Sequence, residues 1–141
     1  MEAKFLSKLI VESLIGSRFV KLYKPFRFYS KILNQEIEIP QGFICDYESV
    51  PMFKASSKRG GVGHDYLCRK DSVPVVPKQK AASVYLELQA CRDRALNEGW
   101  FKRCWRCIKR NAKTLVVRMA PGYFHKLKVL ASLDEVSKLP V

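Results

Sequence analysis

The chain has 141 residues, 48% hydrophobic, 11% aromatic and 28% charged, proportions that exclude a disordered chain and supply enough apolar mass for one core. Its 26 Lys and Arg against 13 Asp and Glu leave a formal charge of +13. That excess suits a polyanionic partner, whether nucleic acid, an anionic lipid surface or an acidic protein face, and serves equally as a solubilising surface.

A single domain over 1–141 is expected. The apolar stretch from Phe5 to Ile15 is interrupted by Lys8, Glu12 and Ser13 before it reaches the length that crosses a bilayer, so no transmembrane segment is expected. Five cysteines, Cys45, Cys68, Cys91, Cys104 and Cys107, form an odd set without framework spacing. The start of the chain carries no signal-peptide pattern, and reduced thiols in a cytosol fit best.

From Lys8 to Pro40 the runs Leu9-Ile10-Val11, Arg18 to Tyr23, Phe26 to Tyr29 and Glu36 to Ile39 are separated by Gly16, Pro25 and Asn34. They predict a small antiparallel sheet. In the last run Ile37 and Ile39 share one face and Glu36 and Glu38 the other, as a strand with one wet face requires. A helix over Glu2 to Leu14 competes for the first run. Gln41 to Gly63 is rich in Gly, Pro and Ser and reads as irregular backbone. A short helix beginning near Val62 would place His64 and Asp65 in its first turn, with Asp65 stabilised by the helix dipole. The prolines of Asp71 to Pro77 close that segment.

Lys78 to Asn97 has mostly helical apolar spacing and ends at Asn97-Glu98-Gly99. After Gly99, Trp100, Phe101, Cys104, Trp105, Ile108, Ala112, Leu115, Val116 and Met119 recur every three or four residues. Lys102, Arg103, Arg106, Lys109, Arg110 and Lys113 occupy the other side, giving a basic amphipathic helix that ends at Pro121-Gly122. The expectation is that this stripe, including both tryptophans and Cys104, faces the core. The basic side could meet a phosphate backbone, or the helix could lie on an anionic membrane. Cys104-x-x-Cys107 lacks two further ligands and predicts no zinc site, and His125 stands alone. The tail to Val141 docks as a strand or short helix, or remains loose.

The chemistry-bearing segment is the centre. Pro40-x-Gly42-Phe43-x-x-Asp46-x-x-Ser49-x-Pro51, then His64-Asp65-Tyr66-Leu67, resembles an uncharacterised family of small phage and prophage proteins, a domain of unknown function. Its pattern runs from a strand into a Gly-Phe-x-Thr-Asp-x-x-Ser-x-Pro loop, then His-Asp-x-Leu on a helix, then an Ala-Asp pair on the next helix. Here Cys45 replaces the Thr, Cys68 replaces an aromatic, and the Ala-Asp pair is Ala82-Ser83, which removes a carboxylate. The resemblance implies an origin and no mechanism.

Asp46, Asp65 and His64 supply two carboxylates and an imidazole, which can hold a divalent metal ion through Asp46 and His64 or let His64 act as a general base. Ser49 would support the site by hydrogen bonding. Because neighbours on a helix point apart, one of His64 and Asp65 is expected to pair with Asp46 or Ser49 and the other to cap backbone amides. The same residues read equally well as a buried clasp fixing the loop. The residues therefore predict an α+β domain, with a small antiparallel sheet followed by a loop-rich centre and two or three packed helices. The expected function is a phage-encoded accessory protein with a hydrolase-like or metal-binding Asp/His site, in the host bacterial cytoplasm or the virion, with other phage proteins as further partners. The alternative is a non-catalytic basic binding or virion assembly protein that docks on DNA or an acidic protein surface.

Overall fold

A computed structural model describes residues 1–46, 58–95, 100–119 and 126–138. Six strands come first: β1 (Lys4–Phe5), β2 (Val11–Ser13), β3 (Val20–Leu22), β4 (Phe26–Ser30), β5 (Gln35–Ile39) and β6 (Ile44–Cys45). Four helices follow: α1 (Lys58–Leu67), α2 (Lys78–Ala95), α3 (Trp100–Met119) and α4 (Leu133–Ser137). The architecture is α+β, as the sequence predicts.

The strands form two three-stranded antiparallel sheets, ordered β1-β4-β5 and β2-β3-β6, where the sequence predicts one. The chain changes sheets directly after β1. Leu6 and Ser7 both donate their amides to the Arg27 carbonyl, at 2.9 and 3.2 Å. The Arg27 amide donates to Ser7 Oγ at 2.8 Å. These bonds end the β1–β4 ladder, and Val11 goes on to pair with Leu22 of β3. The competing N-terminal helix does not form, because its apolar residues find strand partners far along the chain.

In β5 the alternation is as read: Ile37 and Ile39 are buried while Glu36 and Glu38 are exposed. The β4–β5 hairpin turns at Asn34, whose φ of 54° is a conformation Asn tolerates better than most residues. Glu87 of α2 holds this turn, accepting from Ser30 Oγ at 2.7 Å and from the amides of Lys31 and Ile32 at 3.0 and 3.1 Å. The main core joins Phe26, Phe28, Ile37 and Ile39 of the sheet to Val62 and Leu67 of α1 and Val84 and Leu88 of α2.

Helix α1 begins at Lys58 rather than near Val62, so the glycine run lies inside it. Glycine costs about 1 kcal/mol relative to Ala within a helix. Tertiary contact explains its presence: a Cβ on Gly63 would sit 2.8 Å from Leu88 Cδ1 and 3.4 Å from the Phe28 ring. The bare backbone lets α1 settle between α2 and β4. Gly63→Ala should therefore lower stability by about 1–3 kcal/mol, net of its propensity gain. Urea denaturation checks this, and an unchanged or raised midpoint would show that Leu88 repacks freely.

The tail docks as a short helix. Ser132 and Glu135 form a capping box at the start of α4. Val136 then packs with Phe19, Ile44 and Ala131 in a second, smaller cluster. The Val129 amide donates to Asp71 Oδ1 at 2.6 Å.

Helix α3 reverses the expectation for its stripe. Trp105, Ile108, Leu115 and Met119 are 57%, 60%, 59% and 78% exposed, and Cys104 is exposed as well. The side turned to α2 carries Arg110, whose Nη1 donates to Asp93 Oδ2 at 3.0 Å, and Arg106, 4.0 Å from Asp93 Oδ1. The guanidinium groups anchor α3 on α2 by charge, so the apolar face is turned outward. The side chains of Trp100, Lys102, Arg103 and Lys113 lie outside the described residues.

Candidate active site

The motif enters the structure through a turn. Gly42 has φ 87°, a conformation costly for any residue with a Cβ. Its amide donates to the Leu22 carbonyl at 2.9 Å, and the Leu22 amide donates to the Phe43 carbonyl at the same distance. Phe43 is fully buried and meets Tyr66 of α1 edge-on at 5.8 Å. The Gly-Phe pair of the motif thus fixes β6 against α1 and delivers Asp46 at the end of that strand.

Asp46 is buried, with Arg18 Nε 3.9 Å from its Oδ2. Arg69 is 1% exposed; its Nη2 donates to the Ile44 carbonyl at 2.7 Å and its guanidinium stands 5.2 Å from the Phe43 ring centroid. Burial pulls the Arg69 guanidinium below its ordinary pKa, and Asp65, Cys45, Cys68 and Asp46 oppose that shift. Asp46 and Asp65 therefore share the field of one buried cation.

His64 and Asp65 lie in the last turn of α1, not its first. The reason is the early start of the helix through the glycine run. The dipole at this end favours cations, so the stabilisation expected for the Asp65 carboxylate falls instead to the imidazolium. Asp65 is offset by its neighbours: Oδ1 is 3.5 Å from His64 Nδ1, and the Arg69 guanidinium interacts with it by charge. The two adjacent side chains do meet, contrary to expectation.

The other nitrogen of His64 faces Cys68, which the sequence presents as one of five reduced thiols. Nε2 is 3.5 Å from Cys68 Sγ. His64 and Cys68 are four residues apart on a helix, the spacing that stacks side chains on one face. Tyr85 of α2 walls the imidazole edge-on at 5.6 Å. The His64 side chain is 17% exposed, while Cys68 is 4% exposed. Burial would lower the pKa of this imidazole, but Cys68, by charge and hydrogen bond, and Asp65, by hydrogen bond and charge, outweigh it and push it up to about 10.

Thiol, imidazole and carboxylate thus stand in line, with one imidazole nitrogen toward sulfur and the other toward oxygen. This is the order of nucleophile, base and orienting acid. The i, i+4 spacing of His64 and Cys68 was the available signal for it; Arg69 had no signal, because its burial is a tertiary fact. Ser49 lies outside the described residues, as does His125. Asp46 stands 3.9 Å from Arg18 and in the field of the Arg69 guanidinium. Among the described residues no group of three His, Cys, Asp or Glu side chains is arranged to hold a metal ion. The Ser83 hydroxyl donates to the Gln79 carbonyl at 2.9 Å within α2.

No family model matches this chain, and neither a curated protein nor a solved structure matches it.

Proposed function

We propose that this protein is a phage-encoded accessory protein with a hydrolase-like site at Cys68, His64 and Asp65, acting in the host bacterial cytoplasm or the virion. The origin rests on the Pro40 to Leu67 pattern alone. The activity rests on one observation: His64 lies between Cys68 Sγ and Asp65 Oδ1, 3.5 Å from each.

In this reading the imidazole holds the thiol proton and Cys68 attacks an ester or amide carbonyl as the thiolate. His64 then gives the proton to the departing alcohol or amine as the carbonyl–heteroatom bond breaks. Water attacks the resulting thioester, His64 takes its proton, and the acid leaves with Cys68 regenerated. Asp65 keeps Nδ1 protonated and Nε2 toward sulfur. Arg69 ties β6 to the end of α1 through the Ile44 carbonyl.

Alkylation by iodoacetamide at pH 7, with peptide mapping of all five cysteines, tests this. Cys68 should label faster than the equally buried Cys45, and His64→Ala should slow Cys68 labelling by about tenfold or more while the other thiols are unaffected. A second reading, the structural clasp, is favoured by the burial of Asp65 and Cys68. It is distinguished by the same experiment, since a clasp leaves Cys68 as slow as Cys45 in the wild type and speeds every thiol in the variant through unfolding.

A further inference from the structure

A stable soluble helix normally buries its apolar stripe, and α3 does the opposite. Trp105, Ile108, Leu115 and Met119 fall at the three- and four-residue spacing of one helix face, and each is more than half exposed. The face is outward because Asp93 fixes the opposite side through Arg106 and Arg110. Some occupant must meet this surface, and charge selects among the classes.

Helix α3 holds seven Lys and Arg and no Asp or Glu. Among the described side chains, Lys109 lies at the Trp105 edge of the stripe. Lys109 Nζ stands 5.3 Å from the Trp105 ring centroid, so a cation and an indole share the border between the apolar face and the polar one. Long cationic stems at the edge of an apolar stripe, with Trp at the boundary, suit the junction of headgroups and acyl chains.

A second copy of the chain is a poor occupant, because apposing two stripes would bring two uniformly cationic helices together. Nucleic acid would take the cations but offers nothing to Ile108, Leu115 and Met119. No helix among the described residues is long and apolar enough to cross a membrane. We infer that α3 docks this protein on an anionic phospholipid surface, lying in the interface with the Trp105–Met119 stripe toward the acyl chains and the flanking cations at the headgroups.

Co-sedimentation of the full chain with vesicles tests the inference, using phosphatidylcholine alone and phosphatidylcholine mixed equally with phosphatidylglycerol. The wild type should sediment with the anionic vesicles and stay in solution with the neutral ones. Ile108→Glu/Leu115→Glu should lose this binding with its thermal melt unchanged, since both side chains are exposed. Lys109→Glu, which leaves the stripe intact, should weaken partitioning by about tenfold or more. Equal binding to both vesicle types, absence of binding, or full binding by the double variant would overturn the inference. So would a stable dimer that the double variant dissociates, which assigns the stripe to a second copy. Duplex DNA binding retained by the double variant, without vesicle binding by the wild type, would assign the cations to nucleic acid instead.

Discussion

Replacing Arg69 by Ala is expected to lower unfolding free energy by about 3–5 kcal/mol, the range for breaking a buried charge network by removing one member. The guanidinium is 1% exposed and donates to the Ile44 carbonyl at 2.7 Å. That bond ties β6 to the end of α1. The buried Asp46 and Asp65 carboxylates both act on this group by charge, so its loss leaves two buried carboxylates without it. Arg69→Met separates packing from the polar contributions, because it keeps most of the stem that packs beside Phe43 and removes the charge together with the hydrogen bond to Ile44. Both variants should be strongly destabilised in urea at pH 7. If Met restores nearly all of the stability, packing rather than charge accounts for the burial of Arg69; a loss below about 1 kcal/mol in both would remove the network from the account altogether.

The second large effect is in the pH dependence of stability. The His64 imidazole is pushed from 6.5 to about 10, with burial opposing the rise and Cys68 and Asp65 producing it. A group whose pKa is higher in the folded state binds its proton more tightly there. Its contribution is complete below pH 6.5 and is lost as pH climbs toward about 10. Stability should therefore fall across that window by an amount on the order of a few kcal/mol, and His64→Gln should flatten the fall. Denaturant titrations at several pH values between 6 and 10 measure it. A wild-type profile no steeper than that of His64→Gln would show that the thiol–imidazole pair is not held as an ion pair. The same profile bears on activity, because a hydrolase built on this pair should work over the range in which the imidazole still holds its proton.

Local features of the sequence that the fold obeys are those with a local cause. The alternation of Glu36-Ile37-Glu38-Ile39 could satisfy only a strand with one wet face, and Asn34 and Gly42 occupy backbone conformations that few other residues take. The periodicity of residues 78–97 predicts a helix, and α2 is described over Lys78–Ala95. The glycine run before His64 misled for a physical reason. Glycine disfavours a helix when judged by propensity, yet at positions 60 and 63 its missing side chain is what the contacts with Gln89, Leu88 and Phe28 require. The start of α1 thus moved back to Lys58, and His64 and Asp65 passed from the first turn to the last.

For the site, the sequence located the segment and the structure chose the partners. Asp46, His64 and Asp65 were legible as a concentration of carboxylates and an imidazole. Which groups meet depends on where the helix ends and what lies beneath it, so Cys68 and Arg69 emerged only when α1 was seen against β6.

By itself the sequence determined the α+β class, the strand and helix periods of most elements, and the basic, amphipathic character of α3. These depend on side-chain spacing and backbone preference, which act over a few residues. Only the tertiary structure decided that the strands divide into two sheets, that His64 sits between Asp65 and Cys68, and that the apolar face of α3 points to solvent. Each of those outcomes turns on contacts between distant residues, such as Arg27 with Ser7, Arg69 with Ile44 and Arg110 with Asp93. An amphipathic pattern specifies that a helix has two faces; the position of Asp93 on α2 determines which of them is buried.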